Sequence, residues 1–180
     1  PNSDEAAPLT VPVAPVTVSP WSVPAATPHP RAHVLSNGSF TTVITNAGAG
    51  YSQWRDVALT RWQADPTLDN TGLFVYAQDL DSGQTWSAAT QPLTGQAAEP
   101  RVQFYAHQAE FQVNAHGIAL GMQVVVAPED DVELRRVTLS NLSDQRRRLR
   151  LTSYGEVLLG SRAADQRHQA FSKLFVESEY

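Results

Sequence analysis

Cysteine is absent from this chain of 180 residues. That absence removes a disulfide framework and every cysteine-ligated zinc site, and it permits a reducing compartment. The five histidines, His29, His33, His107, His116 and His168, contain no HExxH motif, so surface or capping roles are expected and no metal is called for. No apolar run approaches the ~18 residues of a membrane span, and no basic start leads into an apolar stretch and a small-residue cleavage site. Neither direct membrane insertion nor a secretory leader is expected. Positive charge is in deficit, with a formal net charge of −5, which argues against a general binder of nucleic acid or of an anionic membrane. Gly-x-Ser-x-Gly is missing, so a nucleophile elbow is excluded. The glycine-bearing Asn46-Ala47-Gly48-Ala49-Gly50 lacks a following Lys-Ser/Thr and precedes no credible helix, so it is not a nucleotide loop.

What is present suits one globular domain, since a 42% hydrophobic share is enough for a real core. Residues 1–30 carry eight of the twelve prolines and read as an extended, polyproline-like linker. A role as ligand for a PxxP-reading domain lacks its basic flank. Val11-Pro12-Val13 and Val16-Thr17-Val18 could instead lie along a sheet edge, where a missing N–H does little harm. Residues 31–180 are expected to form a β-sandwich. Thr41 to Thr45 is a β-branched strand; Leu73 to Ala77 and Gln84 to Ser87 flank the tight turn Asp81-Ser82-Gly83. Gln103 to Val113 and Ile118 to Val126 flank Asn114-Ala115-His116-Gly117, and Val132 to Ser140 and Arg148 to Leu158 flank Asn141 to Asp144. The alternation slips phase between Val132-x-Leu134 and Val137-x-Leu139, which predicts a β-bulge near Arg135-Arg136. Hairpin after hairpin with one short helix, within Ala163 to Gln169, argues for an all-β antiparallel sandwich. The start at Pro1 without Met and the stop inside strand-like Leu174 to Tyr180 suggest a piece of a longer polypeptide.

The chemistry concentrates in Leu35 to Trp62. A strand and a permissive glycine loop lead to Tyr51, Ser52, Trp54, Arg55, Arg61 and Trp62. An indole or phenol face stacks on the C–H face of a sugar while a guanidinium donates to hydroxyls or phosphate, so carbohydrate is the first ligand class. The competing assignment packs Trp54 and Trp62 into the core with Arg55 and Arg61 solvated at the rim, and residue chemistry leaves both open. Elsewhere, Glu129-Asp130-Asp131 reads as a solvated turn or a cation site, because three consecutive acids cannot flank a scissile bond. Glu156, Asp165 and Glu177 have no partner readable from spacing. Arg146-Arg147-Arg148-x-Arg150 is a hairpin end in water or an anion site.

The order of these residues resembles a known family. Asn37-Gly38 with Phe40, Asn46 to Gly50 followed by Tyr51-Ser52-x-Trp54-Arg55-Asp56, then Thr60-Arg61-Trp62 are similar to the opening of the β-sandwich of the inverting glycoside phosphorylases that include cellobiose and chitobiose phosphorylase. The phosphorylase-like C-terminal region of bacterial cyclic β-1,2-glucan synthases is more similar still. Further matches are Asp79 to Gly83 with Trp86-Ser87, Val125 to Glu133 with Arg136-Val137-Thr138, Leu151 to Tyr154, and Ala170-Phe171-Ser172-x-Leu174-Phe175. The resemblance covers Leu35 to Tyr180. It implies a galactose-mutarotase-like antiparallel supersandwich, of which this chain would be an incomplete portion, followed by an (α/α)6 barrel that carries the catalytic aspartate. The implied reaction of the parent is inverting phosphorolysis of a β-glucoside or trimming of β-1,2-glucan. It uses inorganic phosphate as co-substrate and no cofactor or metal. No catalytic residue is expected in this chain. The implied partners are a β-glucan or gluco-oligosaccharide, the helical barrel of the same polypeptide and a possible homodimer mate. The implied location is the cytoplasmic side of a larger bacterial inner-membrane protein. Tyr51, Ser52, Trp54, Arg55 and Arg61 match the loop region that reaches the active-site mouth, and are the expected acceptor-side sugar contacts.

Overall fold

The computed structural model describes residues 19–62, 68–93, 98, 100–172, 174 and 176–179. In chain order the strands are β1 (Trp21–Val23), β2 (Ala32–Ser36), β3 (Phe40–Thr45), β4 (Gly50–Trp54), β5 (Val57–Thr60), β6 (Leu73–Asp79) and β7 (Thr85–Ser87). They continue with β8 (Arg101–Tyr105), β9 (Gln108–Ala115), β10 (Ile118–Val126), β11 (Glu133–Asn141), β12 (Leu149–Gly155) and β13 (Val157–Gly160). Two short helices follow, α1 (Arg162–Arg167) and α2 (Gln169–Ser172), where one was expected. One sheet has the order β1-β8-β9-β10-β11, a second β13-β5-β4-β3-β2, and a small third β12-β6-β7. All their pairings are antiparallel.

Strict alternation on β8, β9 and β10 builds the core. Val102, Phe104, Ala109, Phe111, Val113, Leu120, Met122 and Val124 all turn inward and meet Leu35 and Ile44 of the second sheet and Val75, Ala77 and Trp86 of the third. The first sheet is therefore one layer and the other two together the opposite layer. Burying each large apolar side chain in it stabilises by about 1.5–3 kcal/mol. Backbone bonds from the Gly50 N–H to Thr71 (2.7 Å) and from the Arg61 N–H to Glu156 (2.9 Å) stitch the second and third sheets together.

Several expectations need correction. The proline-rich stretch is already structured at Trp21: β1 pairs with β8 at the sheet's edge, and Val23 and Ala25 enter the core. Pro20 and Pro24 bracket this strand, and an edge is where prolines are tolerated. The Val11 to Val18 segment lies outside the described residues. Gln103 to Val113 is two strands, turned at Ala106-His107 without any positive φ there, so no Gly or Asn signal marked the turn. By contrast His116 and Gly117, at φ 53° and 76°, form the mirror-image turn that hairpins favour. Strands β11 and β12 are not a hairpin: β11 pairs with β10 while β12 crosses to β6. The crossing is pinned by Arg147, which donates to Asp79 (Nε at 2.9 Å) and to the His116 carbonyl (2.9 Å), and by Arg148, which pairs with Asp81. The arginine run is thus largely spent on clamping the β6–β7 turn.

No bulge interrupts β11, whose register against β10 is continuous from Glu133 to Asn141. The phase slip arises because the inward positions at its start hold Glu133 and Arg135, leaving Leu134 outward and exposed. Glu133 pairs with Arg135 and accepts hydrogen bonds from Thr42 Oγ1 (2.7 Å) and the Ser52 hydroxyl, so it joins the two layers. Burial alone would raise the Glu133 carboxyl; the Arg135 charge and the two hydroxyls outweigh it and leave the group below its ordinary 4.5. Asp79, held by Arg147 and by the Asp81 N–H, is pulled from 3.8 to about 2.

Both folded values lie below the unfolded ones, so these carboxylates stabilise fully above about pH 4.5 and lose that contribution as pH falls toward 2. Thermal melts followed by circular dichroism should show Tm dropping below about pH 4.5, and Glu133→Gln should flatten the drop. A parent Tm that stays constant down to pH 3 would contradict this assignment.

Candidate functional site

The rim expected from sequence splits into two clusters, because Ser52 and Trp54 face one side of β4 and Tyr51 and Gln53 the other. The first cluster sits where three loops meet. The hairpin turn after Trp54 has only two residues, and Arg55 takes φ 49° there. This conformation is uncommon for a side chain with a Cβ but suits a tight hairpin. It lays the Arg55 guanidinium over the Trp54 ring, 4.8 Å from the centroid. The indole Nε1–H donates to Asp131 Oδ2 at 2.5 Å, and the Ser39 hydroxyl donates to the same carboxylate. Asn37 Nδ2 donates to the Ala127 and Asp130 carbonyls at 3.1 and 2.9 Å. The Ser39 and Trp54 donors hold the Asp131 carboxyl below its ordinary value. Asp131 is therefore the post that fixes Trp54, a role its place in a run of three acids did not reveal. Trp54 remains 36% exposed.

The second cluster lies on the opposite face. Tyr51 and Trp62 rings stand 5.6 Å apart, and the Arg162 guanidinium lies 3.5 Å from the Tyr51 centroid and 5.6 Å from that of Trp62. Arg162 Nε and Nη2 are enclosed and meet no acceptor among the described residues. Arg162 is the first residue of α1, whose cap Ser161 accepts from the Ala164 N–H at 3.2 Å. Nothing in the sequence near residue 162 signalled this contact, which depends wholly on where α1 docks.

Of the five expected contacts, Tyr51 is half-buried and Trp54 and Arg55 are exposed. Ser52 and Arg61 lie inside, 3% and 5% exposed. Ser52 is engaged by Glu133, and Arg61 makes a two-pronged pair with Asp165 (Nε at 3.0 Å, Nη2 at 2.6 Å) plus a bond to Glu156 at 2.8 Å. Glu156 and Asp165, which looked scattered, thus converge on one guanidinium from β13's approach and α1.

A separate cleft of about 370 Å³ opens beside the glycine loop, lined by Asn46, Asp69, Thr90 and Gln91 among others. Burial pushes the Asp69 carboxyl up, and Thr45 Oγ1 donates to it at 2.8 Å. Asp69 is the one carboxylate among the described lining residues, which therefore hold no facing pair of the kind glycoside hydrolysis uses. No group of three or more His, Asp or Glu that could hold a metal occurs among the described residues.

The family model described as glycosyl hydrolase 94, supersandwich domain, matches residues 18–180. The chain belongs to this family. The supersandwich is 36% identical over 146 residues to the cyclic beta-(1,2)-glucan synthase NdvB of Rhizobium meliloti (strain 1021), a match covering 81% of this chain and 5% of that protein. It is 30% identical over 148 residues to the N,N'-diacetylchitobiose phosphorylase of Vibrio proteolyticus, covering 79% of this chain and 18% of the enzyme. The corresponding phosphorylase of Vibrio furnissii is 26% identical over 158 residues, 85% of this chain and 20% of the enzyme. The glycosyl hydrolase 94 supersandwich therefore spans from a twentieth to a fifth of these relatives. The all-β, antiparallel architecture agrees with the family, and the match at residue 18 agrees with the structured start near Trp21. No helix among the described residues is long and apolar enough to cross a membrane.

Proposed function

We propose that this domain is a non-catalytic supersandwich of a β-glucoside-processing enzyme of the cyclic glucan synthase or glycoside phosphorylase type, supporting a helical catalytic barrel elsewhere in the polypeptide and touching glucan at its rim. The observation that carries the sugar contact is the exposed Trp54 indole, locked by Asp131 and flanked by the Arg55 guanidinium. A rigid aromatic edge beside a fan of N–H donors suits a pyranose and costs little ordering entropy on binding. Tyr51 supplies a second aromatic surface, while Ser52 and Arg61 hold their strands in place from inside. The phosphate co-substrate and the acid that protonates the leaving oxygen belong to the barrel, so the chain alone is expected to be inactive.

Titration with β-1,2-gluco-oligosaccharides, followed by tryptophan fluorescence, should give a saturable change that Trp54→Ala removes. Losing a stacking indole weakens such contacts by about 0.5–1.5 kcal/mol, roughly 2- to 12-fold. In the full enzyme, Trp54→Ala and Arg55→Ala should raise KM for glucan, and unchanged kinetics in both would end the rim reading. The scaffolding half rests on a different observation. Leu151, Tyr154 and Val157 form an exposed apolar strip along a groove of about 530 Å³, the kind of surface that serves as a docking site. The same strip favours the second reading, an assembly sandwich with no sugar ligand, for which the fluorescence titration would be flat.

A further inference from the structure

The outer face of the β1-β8-β9-β10-β11 sheet is built in two polar rows that the rim does not use. Register places Ser22, Gln103, Glu110, Gln123 and Arg136 side by side across all five strands. A parallel row runs Arg101, Gln112, Gly121 and Thr138. Neighbouring strands are about 4.8 Å apart, so side chains repeat along each row at a step commensurate with one pyranose unit.

Two of the three charged groups, Glu110 and Arg136, are already engaged within the face. Glu110 accepts from Tyr105 Oη (3.2 Å), Gln108 Nε2 (2.8 Å) and Gln123 Nε2 (2.5 Å), and Arg136 donates to Gln123 Oε1. One carboxylate against two guanidiniums, Arg101 and Arg136, leaves the two rows with a net charge of +1. Beside these internal bonds the face offers the Gln112 amide and the Thr138 hydroxyl, which both donate and accept, and vicinal diols do the same. Gly121 interrupts the second row and opens a shallow cavity of about 180 Å³ lined by Gln112, Gln123 and Thr138 together with the paired Glu110 and Arg136. That is below the ~300 Å³ at which enclosed small-molecule sites begin. The space suits one sugar of a chain lying across the strands.

We infer that this amide-lined sheet face is a second glucan-binding surface, taking a neutral gluco-oligosaccharide with one residue seated over Gly121. The inference rests on the reading that this domain meets glucan, but it concerns different residues from the rim. An added Cβ at Gly121 would meet nothing closer than Thr138 at 4.0 Å, so Gly121→Gln fills the cavity without disturbing the backbone. Gln112→Ala, at an exposed position, removes an amide from the same cavity.

The test is titration of the chain with β-1,2-gluco-oligosaccharides, monitored by amide chemical shifts. The expected result is saturable shifts at Gln112, Gly121, Gln123 and Thr138 that persist at high salt, because a neutral ligand is not screened. Gly121→Gln should erase them, and Gln112→Ala should weaken them about fivefold, as for one lost hydrogen bond. The Trp54 fluorescence response should survive both. Shifts confined to the loops around Trp54 would overturn this surface while leaving the rim standing. Shifts on the sheet face that both variants leave intact, or that salt abolishes, would overturn it as well. No shift anywhere would overturn both proposals.

Discussion

Gly50→Ala is expected to abolish the native fold. Gly50 begins β4 at φ +145°, and a Cβ there would stand 1.9 Å from the Val43 carbonyl oxygen, 2.8 Å from its carbon and 3.0 Å from the Ile44 Cα. These are backbone atoms of the paired strand β3, so no side-chain rotation relieves the clash. The Gly50 N–H also carries the 2.7 Å bond to Thr71 that links two sheets. Displacing the strand would therefore loosen β3 pairing and the sheet junction together. A loss beyond about 4 kcal/mol is a large part of the 5–15 kcal/mol that holds a domain folded. Circular dichroism and amide dispersion should report an unfolded or molten chain. A cooperative melt within about 5 °C of the parent, equivalent to about 1–2 kcal/mol for this size, would refute the argument.

Arg61→Ala should cost about 3–5 kcal/mol, the range for removing one member of a buried ion pair. The loss follows from what remains behind. Asp165 is 5% exposed and would be left as an uncompensated carboxylate, while Glu156 would lose a 2.8 Å partner. Hydrogen bonding to Asp165 raises the Arg61 guanidinium further above its ordinary value, so charge loss on the arginine offers no escape. Because Asp165 lies on α1, the helix and the Arg162 stack on Tyr51 should loosen with it. Arg61→Lys keeps the charge but not the two-pronged geometry and should fall between parent and alanine variant. Urea unfolding with hydrogen exchange at α1 measures this. A stability loss under about 1 kcal/mol, with the sugar response gone, would instead make Arg61 a ligand contact.

Much of the layered plan was legible because it rests on local rules. Period-two alternation on β9 and β10, the Asp81-Ser82-Gly83 turn and the His116-Gly117 turn each follow from what the residues themselves prefer. The short helix expected within Ala163 to Gln169 is there too, but it starts at Arg162 and breaks at His168, with a second helical turn beyond. Sequence reading failed where pairing is nonlocal. It joined β11 to β12 because they are adjacent in the chain, whereas Arg147 and Arg148 carry the segment to the β6–β7 turn. It placed a bulge at Arg135 because it assumed that inward positions are apolar; the inward pair is Glu133 and Arg135.

By itself the amino-acid order determined the family, the antiparallel β class, and the presence of an aromatic and arginine-rich stretch at residues 51–62. These depend on residue type and on neighbours close in sequence. Only the tertiary structure decided which of those side chains point outward. It turned Arg61 in to meet Asp165, 104 positions away, and held Trp54 out on Asp131, 77 positions away. It also brought Arg162 onto Tyr51. The physical reason is that a charge or an indole has no fixed preference for inside or outside until its partner is in place, and here each partner arrives from a different sheet, loop or helix.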